Sequence, residues 1–533
     1  MNANYAAVQY GYSGEPTVPG TLSGEYDPEW ITWSRLLREG LLALVITLVV
    51  TGLQSTTMGT SHAVRMVIVI EGFCIVLIGM AVARTMGGRL FLAVAYAVLF
   101  ERSYFLPPRI WVLTLSPSML LAGLLLVMSA NKSMRPPLLT KCAGGPRTAI
   151  YVLTALILGG ALVAANFSPF GMERGVWAML DQRVPMIVFA AAGAMVLRRG
   201  TGHVFWDLLP YLAAANAVTI WVYSLTGTRV LFYQDLWSYK EVIDRFGGML
   251  RNANNSGFFC ALAILVTLLR FHRARGLLKL IMLANAVFLA GTIVVLRSRG
   301  PILVLVLLLP VLLLHKRSRL ATAAFCVVGA IGYVGYGSAL TVGQSRAGRH
   351  ETLAARMESV PESVALRWKS YMDIVLTISR NPFGVGEHGG AISSEFGAVT
   401  GFEAHNEYLA FLARNGFQTL GSLVLLMSVI IGCWAMACQE RFPHRPGMLL
   451  IVALIAFMIT FGYEPILSNC HELGAIFCTT LGMFTASCLF AMPQASLIPM
   501  PVSGAGLGIG SPEQLPPVGG TGPAVVRPNP RHP

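Results

Sequence analysis

The sequence predicts an all-α polytopic membrane protein with about fourteen transmembrane helices (12–14) and one large, partly helical loop outside the cytoplasm. Of the 533 residues, 55% are hydrophobic and only 12% are charged, whereas about a quarter of the residues of a soluble domain are charged. Apolar runs of about 15–22 residues recur along the chain, and such runs can cross a hydrocarbon core of about 30 Å as helices. The runs are continuous, as in membrane helices, rather than alternating.

The apolar runs give the predicted spans, and the basic residues give their direction. The first 34 residues contain no Lys or Arg, unlike a cleavable signal peptide, so the run from Leu36 is expected to remain as the first span. With the N-terminus in the cytoplasm, every predicted inside loop is basic, as the positive-inside rule requires. The spans are 36–54, 64–83, 88–105, 109–129, 148–167, 184–198, 204–226, 256–272, 277–296, 300–315, 318–337, 417–438, 447–466 and 471–491.

This threading divides the chain into five segments. The segments are a cytoplasmic N-terminal segment (1–35), eleven spans (36–337), a large periplasmic loop (338–416), three spans (417–491) and a Pro- and Gly-rich cytoplasmic tail expected to be disordered (492–533). The formal charge of +14 is spread over many short loops, so no nucleic-acid site is indicated. Nine cysteines without a CxxC pair indicate neither a disulfide framework nor a zinc site.

Two arginines stand at a predicted outer turn, Arg297-Ser298-Arg299-Gly300-Pro301. Basic residues at an outer interface run against the positive-inside bias. Pro301 suits the first turn of a following helix, and Ser298 or Gly300 can cap that helix. The positive end of the helix and both guanidinium groups would together suit a phosphate or pyrophosphate. The alternative is that the arginines reach toward lipid headgroups.

A third arginine precedes another predicted outer helix start, in the stretch RNANNSG at 251–257. Asn254, Asn255 or Ser256 can serve as its N-cap. Capping accounts for the asparagines, but it does not account for Arg251, which would lie beside an exposed helix N-terminus.

The large loop contains two predicted helices. The first has apolar residues at the spacing of one helical face, at Val364, Trp368, Tyr371, Val375 and Ile378. It is expected to stop before Pro382, because the residue before a proline is biased out of the α region. The second helix is expected to begin after Asn406, which can cap it.

His405 lies just before the second helix, flanked by Glu403 and Glu407. An imidazole with the ordinary pKa of about 6.5 is a competent general base near neutral pH. Lone surface histidines without a catalytic role are also common, so position and neighbours leave both interpretations open.

These motifs resemble the bacterial O-antigen ligase and polysaccharide polymerase family. The likeness rests on Ser298–Gly300, Arg251–Asn255, Arg367–Gly386 and, most strongly, AHNEYLAFLARNGFQTLG at Ala404–Gly421. The similar region covers about 245–440, and the order and common outward side of the motifs make the set specific. One departure is Arg414, near a position where family members often have an acidic residue.

The resemblance implies a multi-pass enzyme of the bacterial inner membrane, and the charge bias of the loops predicts that both termini lie in the cytoplasm. Such an enzyme transfers saccharide from an undecaprenyl-pyrophosphate carrier to a glycan acceptor in the periplasm, without nucleotide sugar, metal or cofactor. No DxD motif occurs in the chain, so arginines are expected to bind the leaving group. The donor is lipid-linked, and the acceptor is a second lipid-linked repeat or lipid A–core.

In the resulting hypothesis, His405 is the general base of an inverting displacement. Arg299 and Arg367, with Arg251 or Arg297 assisting, bind the departing pyrophosphate. The supporting residues are Asn254, Glu403, Asn406 and Glu407.

Two questions stay open at this level. A polymerase is slightly favoured over a ligase, because many spans and a large loop suit a growing chain, and ligation onto protein is a third option. A transporter or flippase of lipid-linked saccharide is the alternative from another class. Glu71 and Glu464, within or near spans, favour that alternative, since buried acids often mark ion pathways, whereas no internal repeat supports it.

Overall fold

A computed structural model describes most of the predicted spans and parts of the connecting loops. Every described residue belongs to the compact unit Met1–Met492, and a second unit comprises Pro493–Pro533. The predicted N-terminal segment (1–35), the tail (492–533) and most of the large loop lie outside the description. The described ranges are 62–83, 85–98, 109–110, 113–114, 117–130, 140–141, 159, 162–163, 166, 172–226, 247–250, 252–336, 368, 371–372, 374–384, 406–438, 447–464 and 471–491.

These ranges are almost entirely helical. The helices are α1 (His62–Val82), α2 (Met86–Tyr96), α3 (Pro117–Ala130), α4 (Met172–Arg198), α5 (Gly202–Thr226), α6 (Ala253–Arg270), α7 (Leu277–Val295), α8 (Arg299–Leu314), α9 (Arg319–Tyr336), α10 (Glu407–Asn415), α11 (Leu420–Cys438), α12 (Met448–Phe461) and α13 (His471–Leu489). Short 3-10 helices cover Gly248–Leu250, Phe271–Arg273 and Phe417–Thr419. The strands β1 (Arg109–Ile110) and β2 (Leu113–Thr114) pair antiparallel, as do β3 (Thr140–Lys141) and β4 (Phe490–Ala491).

All of these helices except α10 coincide with predicted spans, and α10 is the helix predicted after Asn406. Within the described residues, three helical segments are long and apolar enough to cross a membrane, Gly202–Thr226, Ala253–Arg273 and Leu277–Val295. Shorter apolar helices accompany them. The predicted span 36–54 and most of 148–167 lie outside the described residues, so the number of fourteen spans stays a prediction.

Three predicted boundaries were wrong. The helix α4 begins at Met172 rather than at 184, because charged residues in its first half lower the hydropathy on which the prediction depended. The helix α3 begins at Pro117 rather than at 109, since proline suits the first helical position and disfavours helix before it. The helix α12 ends at Phe461 rather than at 466.

The helix α6 lies at the centre of the bundle and contacts α5, α7, α8 and α12. Every residue of α6 is buried except Asn254, in its first turn. At its other end, Arg270 forms a buried ion pair with Asp207, with Nε–Oδ1 and Nη2–Oδ2 distances of 2.7 and 3.0 Å. The C-terminal end of this apolar helix is therefore held by a side chain of α5.

Small residues allow α4 and α13 to pack closely. A Cβ on Gly193 would overlap the carbonyl of Thr479, and a Cβ on Gly482 would overlap that of Ala190. Membrane helices commonly pack through such small residues. In lipid the hydrophobic effect does not drive helices together, so close van der Waals contact between backbones stabilises their association.

Contacts between distant segments agree with the predicted sides of the membrane. The strand β3 lies in a predicted inside loop and pairs with β4, at the inner end of the last span. The backbone N–H of Gly87 donates to Thr201 Oγ1 at 3.1 Å, again between two predicted inside turns.

Candidate active site

Three helices begin beside the turn 462–464, which follows α12. The helix α6 begins after Asn252, α8 after Ser298 and α10 after Asn406. Side-chain hydrogen bonds connect each of these starts to the turn, directly or through one neighbour. Three segments that were predicted to lie outside the membrane therefore meet at one place.

Glu464 binds two asparagines at the start of α6. Its Oε1 accepts a hydrogen bond from Asn252 Nδ2 at 3.0 Å, and its Oε2 accepts one from Asn254 Nδ2 at 3.1 Å. The residue is only 4% exposed, and hydrogen bonds to an ionised group are stronger than those between neutral groups. Glu464 lies beyond Phe461, the last residue of α12, among helix ends. This position weakens the transporter interpretation, which treated Glu464 as an acid within or near a span.

Asn252, rather than a later residue, is the N-cap of α6. Its backbone is extended, with φ −85° and ψ 127°, and its side chain accepts a hydrogen bond from the backbone N–H of Asn254 at 2.8 Å. The prediction of Asn254, Asn255 or Ser256 as the cap was wrong, because all three lie inside the first turns of the helix. Their side chains are instead available for contacts with other segments, and Ser256 donates to the carbonyl of Gly247.

Ser298 connects the start of α8 to the start of α6. It occupies the N-cap position, as predicted, but its side chain makes no capping hydrogen bond. Its hydroxyl donates instead to Asn254 Oδ1 at 2.8 Å. The Asn254 amide therefore bridges Ser298 and Glu464, and the RNANN and SRG motifs are in direct contact.

Two glycines make this approach possible. A Cβ on Gly300 would overlap the ring of Tyr463. A Cβ on Gly257 would lie 2.7 Å from Pro301 Cγ and 3.2 Å from Ser298 Cβ. The glycine of the SRG motif is thus explained by contact with Tyr463 rather than by capping.

Both arginines of the SRG turn lie at the N-terminal end of α8. Arg297 is 9% exposed and has a φ of 52°; in the described part of the chain, it is the only non-glycine residue with positive φ. A sparsely populated backbone conformation costs about 1–3 kcal/mol and persists where the surroundings enforce it. Arg299 is the first residue of α8 and is half-buried. Two arginines therefore stand at the positive end of the helix dipole.

Asn406 caps α10 as predicted, with φ −159° and ψ 111° and with its Oδ1 accepting from the backbone N–H of Leu409 at 3.1 Å. Its Nδ2 donates to the carbonyl of Gly462 at 3.2 Å, which holds the helix start against the 462–464 turn. Glu407, the first residue of α10, is 4% exposed, and a carboxylate in the first turn suits the helix dipole.

Tyr408 fastens α10 to α12. Its hydroxyl donates to the carbonyl of Met458 at 2.7 Å, and burial raises the pKa of Tyr408 to about 12. The ring packs edge-on against Phe461, with centroids 6.2 Å apart, and Phe461 packs on Phe477 at 5.0 Å. Aromatic side chains of α10, α12 and α13 therefore pack together next to the start of α10.

The C-terminal end of α10 is held by α4. Arg183 Nη2 donates to Asn415 Oδ1 at 3.2 Å, and the guanidinium carbon of Arg183 lies 5.4 Å from the centroid of the Phe411 ring. A cation over an aromatic face and near a helix C-terminus is stabilising. The helix that follows His405 is thus fixed at both ends.

The end of the first loop helix packs against the segment that links α10 to α11. Residues 374–380 are helical and Asn381 is not, as the prediction from Pro382 required. The backbone N–H of Phe417 donates to the carbonyl of Pro382 at 2.8 Å. Gly384 has a φ of 90°, and a Cβ there would lie 2.5 Å from the carbonyl oxygen of Arg414.

The structure brings together every predicted site residue that it describes. These residues are Asn254, Arg297, Arg299, Asn406 and Glu407. The remaining four, Arg251, Arg367, Glu403 and His405, lie outside the described residues. The chain runs directly from Arg251 into Asn252 and from His405 into Asn406. Within the described ranges, no group of three or more His, Cys, Asp and Glu side chains is placed to share a metal ion.

Sequence reasoning missed the residues that hold these motifs together. Asn252, Tyr463 and the pair Arg183–Asn415 were not singled out. Glu464 was noted, but its partners were not recognised. The available signal was its position in Gly462-Tyr463-Glu464-Pro465, where a predicted span reaches the outer side.

A comparison with protein families supplies the classification of this region. Residues 284–424 match the family model described as O-antigen ligase. This segment is similar to the O-antigen ligase family. The O-antigen ligase segment contains the SRG turn, α8, α10 and the start of α11, whereas Asn252, Asn254 and Glu464 lie outside it. No curated protein and no solved structure matches the chain.

The O-antigen ligase segment and the apolar helices together support a multi-pass membrane enzyme of the ligase or polymerase type. Such enzymes transfer glycosyl groups. The resemblance inferred from the SRG and His-Asn motifs is therefore confirmed for this part of the chain, whereas the RNANN motif lies outside the matched residues.

Proposed function

We propose that the protein transfers a saccharide from undecaprenyl pyrophosphate to a glycan acceptor at the outer surface of the inner membrane. The observation that carries the proposal is the hydrogen bond from Ser298 to Asn254, at 2.8 Å. Because of this contact, the two arginine-bearing helix starts that the sequence separates form one site. The third helix start, at Asn406, adjoins the same turn and is preceded by His405.

The donor's pyrophosphate binds at the starts of α6 and α8. Arg299 and Arg297 supply charge from α8, Arg251 precedes the start of α6, and Arg367 comes from the large loop. Arginine suits this task because its planar fork binds two phosphate oxygens at once. The N-terminal ends of two helices add backbone N–H groups and positive dipole ends.

The reaction is a single displacement in which one bond forms and one breaks. The acceptor hydroxyl transfers its proton to the imidazole of His405, and its oxygen forms a bond to the anomeric carbon. The bond from that carbon to the phosphate oxygen breaks, and its electron pair leaves with undecaprenyl pyrophosphate. The arginines stabilise the departing negative charge, and preorganised donors of this kind contribute about 3–4 kcal/mol each to catalysis. The anomeric configuration inverts.

Glu464 has a positioning role in this scheme. Its carboxylate accepts hydrogen bonds from the amides of Asn252 and Asn254 and thereby orients the start of α6. Because these amides bind the carboxylate, its negative charge is stabilised by protein groups rather than by the donor. The four arginines assigned to the donor outnumber the three carboxylates assigned to the site, Glu403, Glu407 and Glu464, so the site keeps a net positive charge for a pyrophosphate.

The acceptor is proposed to be a second lipid-linked repeat, which makes the protein a polymerase. A large loop and many spans suit an enzyme that holds a growing chain. Lipid A–core as the acceptor would make the same site a ligase.

The test uses the full-length protein in lipid nanodiscs with labelled undecaprenyl-pyrophosphate glycan. Unlabelled donor or lipid A–core serves as the acceptor in separate reactions. We expect a ladder of products with the unlabelled donor, and a product of one size with lipid A–core would make the protein a ligase. His405→Ala should abolish product formation while labelled donor remains bound, and wild-type turnover in this variant would contradict the general-base role. Movement of donor across proteoliposomes without bond formation would favour the transporter.

A further inference from the structure

The first helix of the large loop exposes an apolar face. Trp368 is 64% exposed, Met372 45%, Val375 45% and Leu376 51%. At 100° per residue, these four side chains fall within an arc of about 100° on one side of the helix. Phe383, just past the helix end, is 49% exposed. Contiguous apolar patches of this kind mark interaction sites.

The opposite side of the same helix packs against the protein. Ile378 is 5% exposed and Thr377 is 8% exposed. The predicted apolar face is therefore divided, because Ile378 faces inward while Trp368 and Val375 face outward. The orientation is fixed by this packing, so the outward face is a defined surface.

This surface adjoins the start of α11, a predicted span with exposed apolar residues. The hydrogen bond from the N–H of Phe417 to the carbonyl of Pro382, at 2.8 Å, ties the end of the loop helix to the beginning of that span. On α11, Leu420 is 46% exposed and Val424 59% exposed. Phe417 itself is 53% exposed, beside the junction. Apolar residues exposed on a transmembrane helix face acyl chains, and the loop surface extends that region past the helix end.

We infer that Trp368, Met372, Val375, Leu376 and Phe383 lie in the interface of the bilayer, at the end of the helix bundle that carries the candidate site. Interfacial helices bury an apolar face at the boundary of headgroups and acyl chains. Tryptophan is enriched at this depth. Arg380 is exposed beside the apolar face, as is common for basic residues of interfacial helices. The partner of this surface is the lipid itself.

One consequence rests on the proposed function. The phosphates of a lipid-linked donor lie at headgroup depth, and the interface would hold Trp368 near that depth. The chain on either side of residues 368–383 leads to Arg367 and to α10. The interface would thus set the depth of Trp368, which directly follows Arg367 in the sequence.

Quenching of Trp368 by brominated lipid tests the inference. Full-length protein is placed in nanodiscs of phosphatidylcholine brominated near the headgroup or near the acyl-chain ends. The difference between wild type and Trp368→Phe gives the fluorescence of Trp368 alone. We expect shallow bromines to quench this component at least about twofold more than deep bromines. Trp206, which is 0% exposed, provides the control through Trp206→Phe, and its component should respond little to either lipid.

Other occupants give different results. A Trp368 component that brominated lipid does not quench would overturn the inference. Quenching lost in discs that hold two copies, but present in discs that hold one, would assign the surface to contact between copies. Leu376→Glu should weaken the quenching about twofold, because a carboxylate at this depth resists burial. Quenching is measured without substrate, so its outcome is separate from the glycosyl-transfer assay.

Discussion

Arg183 and Asn415 are joined by a buried hydrogen bond of 3.2 Å, although they are 232 residues apart in the chain. Arg183 is 9% exposed and Asn415 1% exposed. The pair holds the C-terminal end of α10, while Asn406 and Tyr408 hold its beginning. The helix that follows His405 is therefore held by side-chain hydrogen bonds at both of its ends.

Arg183→Ala should destabilise the protein and slow glycosyl transfer. Loss of a partner leaves the buried side-chain oxygen of Asn415 unsatisfied, and the free energy of unfolding should fall by about 1–3 kcal/mol. Thermal unfolding and turnover in nanodiscs measure both effects. The double variant with Asn415→Ala should lose less than the sum of the two single variants, because the two residues share one contact. Additive losses would show that the contact is unimportant, and Arg275→Ala, at an exposed arginine, provides the control.

Exchange of the carboxylate and the amide between positions 254 and 464 should restore turnover that Asn254→Asp alone removes. Asn254→Asp places a second carboxylate against Glu464, where the amide now donates at 3.1 Å. We expect turnover to fall by about tenfold or more, since a hydrogen bond to a charged group contributes about 1.5–3 kcal/mol. Glu464→Gln in the same chain supplies a new amide donor and should recover most of the activity. The Ser298 hydroxyl can donate to either residue at 254.

The control for this exchange is Glu464→Gln alone. Glutamine replaces one of the two acceptor oxygens of the carboxylate with a donor NH2 group, so one of the two asparagine amides loses its acceptor and a partial loss is expected. An exchanged double variant that is no better than Asn254→Asp would contradict the bridging role of Asn254.

Much of this site could be predicted from the sequence, because its motifs are local. Helix starts leave characteristic capping residues, and Ser298 and Asn406 were correctly placed on that basis. The contacts between starts could not be predicted. Asn252 and Asn254 are equally good caps by composition, and nothing local indicates that Asn252 caps α6 while both amides donate to Glu464, on a distant segment. Hydropathy likewise cannot find the beginning of α4, because a helix can continue past the apolar run that defines a span.

Gly300→Ala should separate α8 from the 462–464 turn. A Cβ at this position would overlap the Tyr463 ring, so either the ring or the start of α8 must shift. Turnover should fall by about tenfold or more, since misplacement by about 1 Å can cost a hundredfold. The matched control is Gly329→Ala in α9, where a Cβ meets nothing within 4 Å. Equal activity of the two variants would contradict the contact explanation for the SRG glycine.

Tyr408→Phe should weaken the attachment of α10 to α12. The carbonyl of Met458 lies in the last turn of its helix, and the N–H of Gly462, its expected helical partner, bonds to Ile459 instead. Removal of the tyrosine hydroxyl should therefore cost about 1–3 kcal/mol of unfolding free energy, measured by thermal or denaturant unfolding.

The raised pKa of Tyr408, about 12, also sets a pH dependence. Burial favours the neutral hydroxyl in the folded state, while the unfolded tyrosine ionises near its ordinary pKa of about 10. The contribution of Tyr408 should thus be complete below pH 10 and be lost as the pH rises toward 12. The difference in stability between wild type and Tyr408→Phe should narrow over that interval. A constant difference would contradict the assignment.

Arg299→Lys should reduce glycosyl transfer although it keeps the positive charge. Lysine lacks the planar fork that binds two phosphate oxygens together, and removal of one preorganised donor typically costs about a hundredfold or more in turnover. We expect a fall of about ten- to a hundredfold for Lys and a larger fall for Arg299→Gln. Arg319→Lys is the matched control, because Arg319 is also the first residue of a helix, α9, but starts at a predicted inside turn. Turnover and the affinity for undecaprenyl pyrophosphate measure the effect. A lysine variant with wild-type values for both would remove Arg299 from the pyrophosphate site and leave that role to Arg251, Arg297 and Arg367.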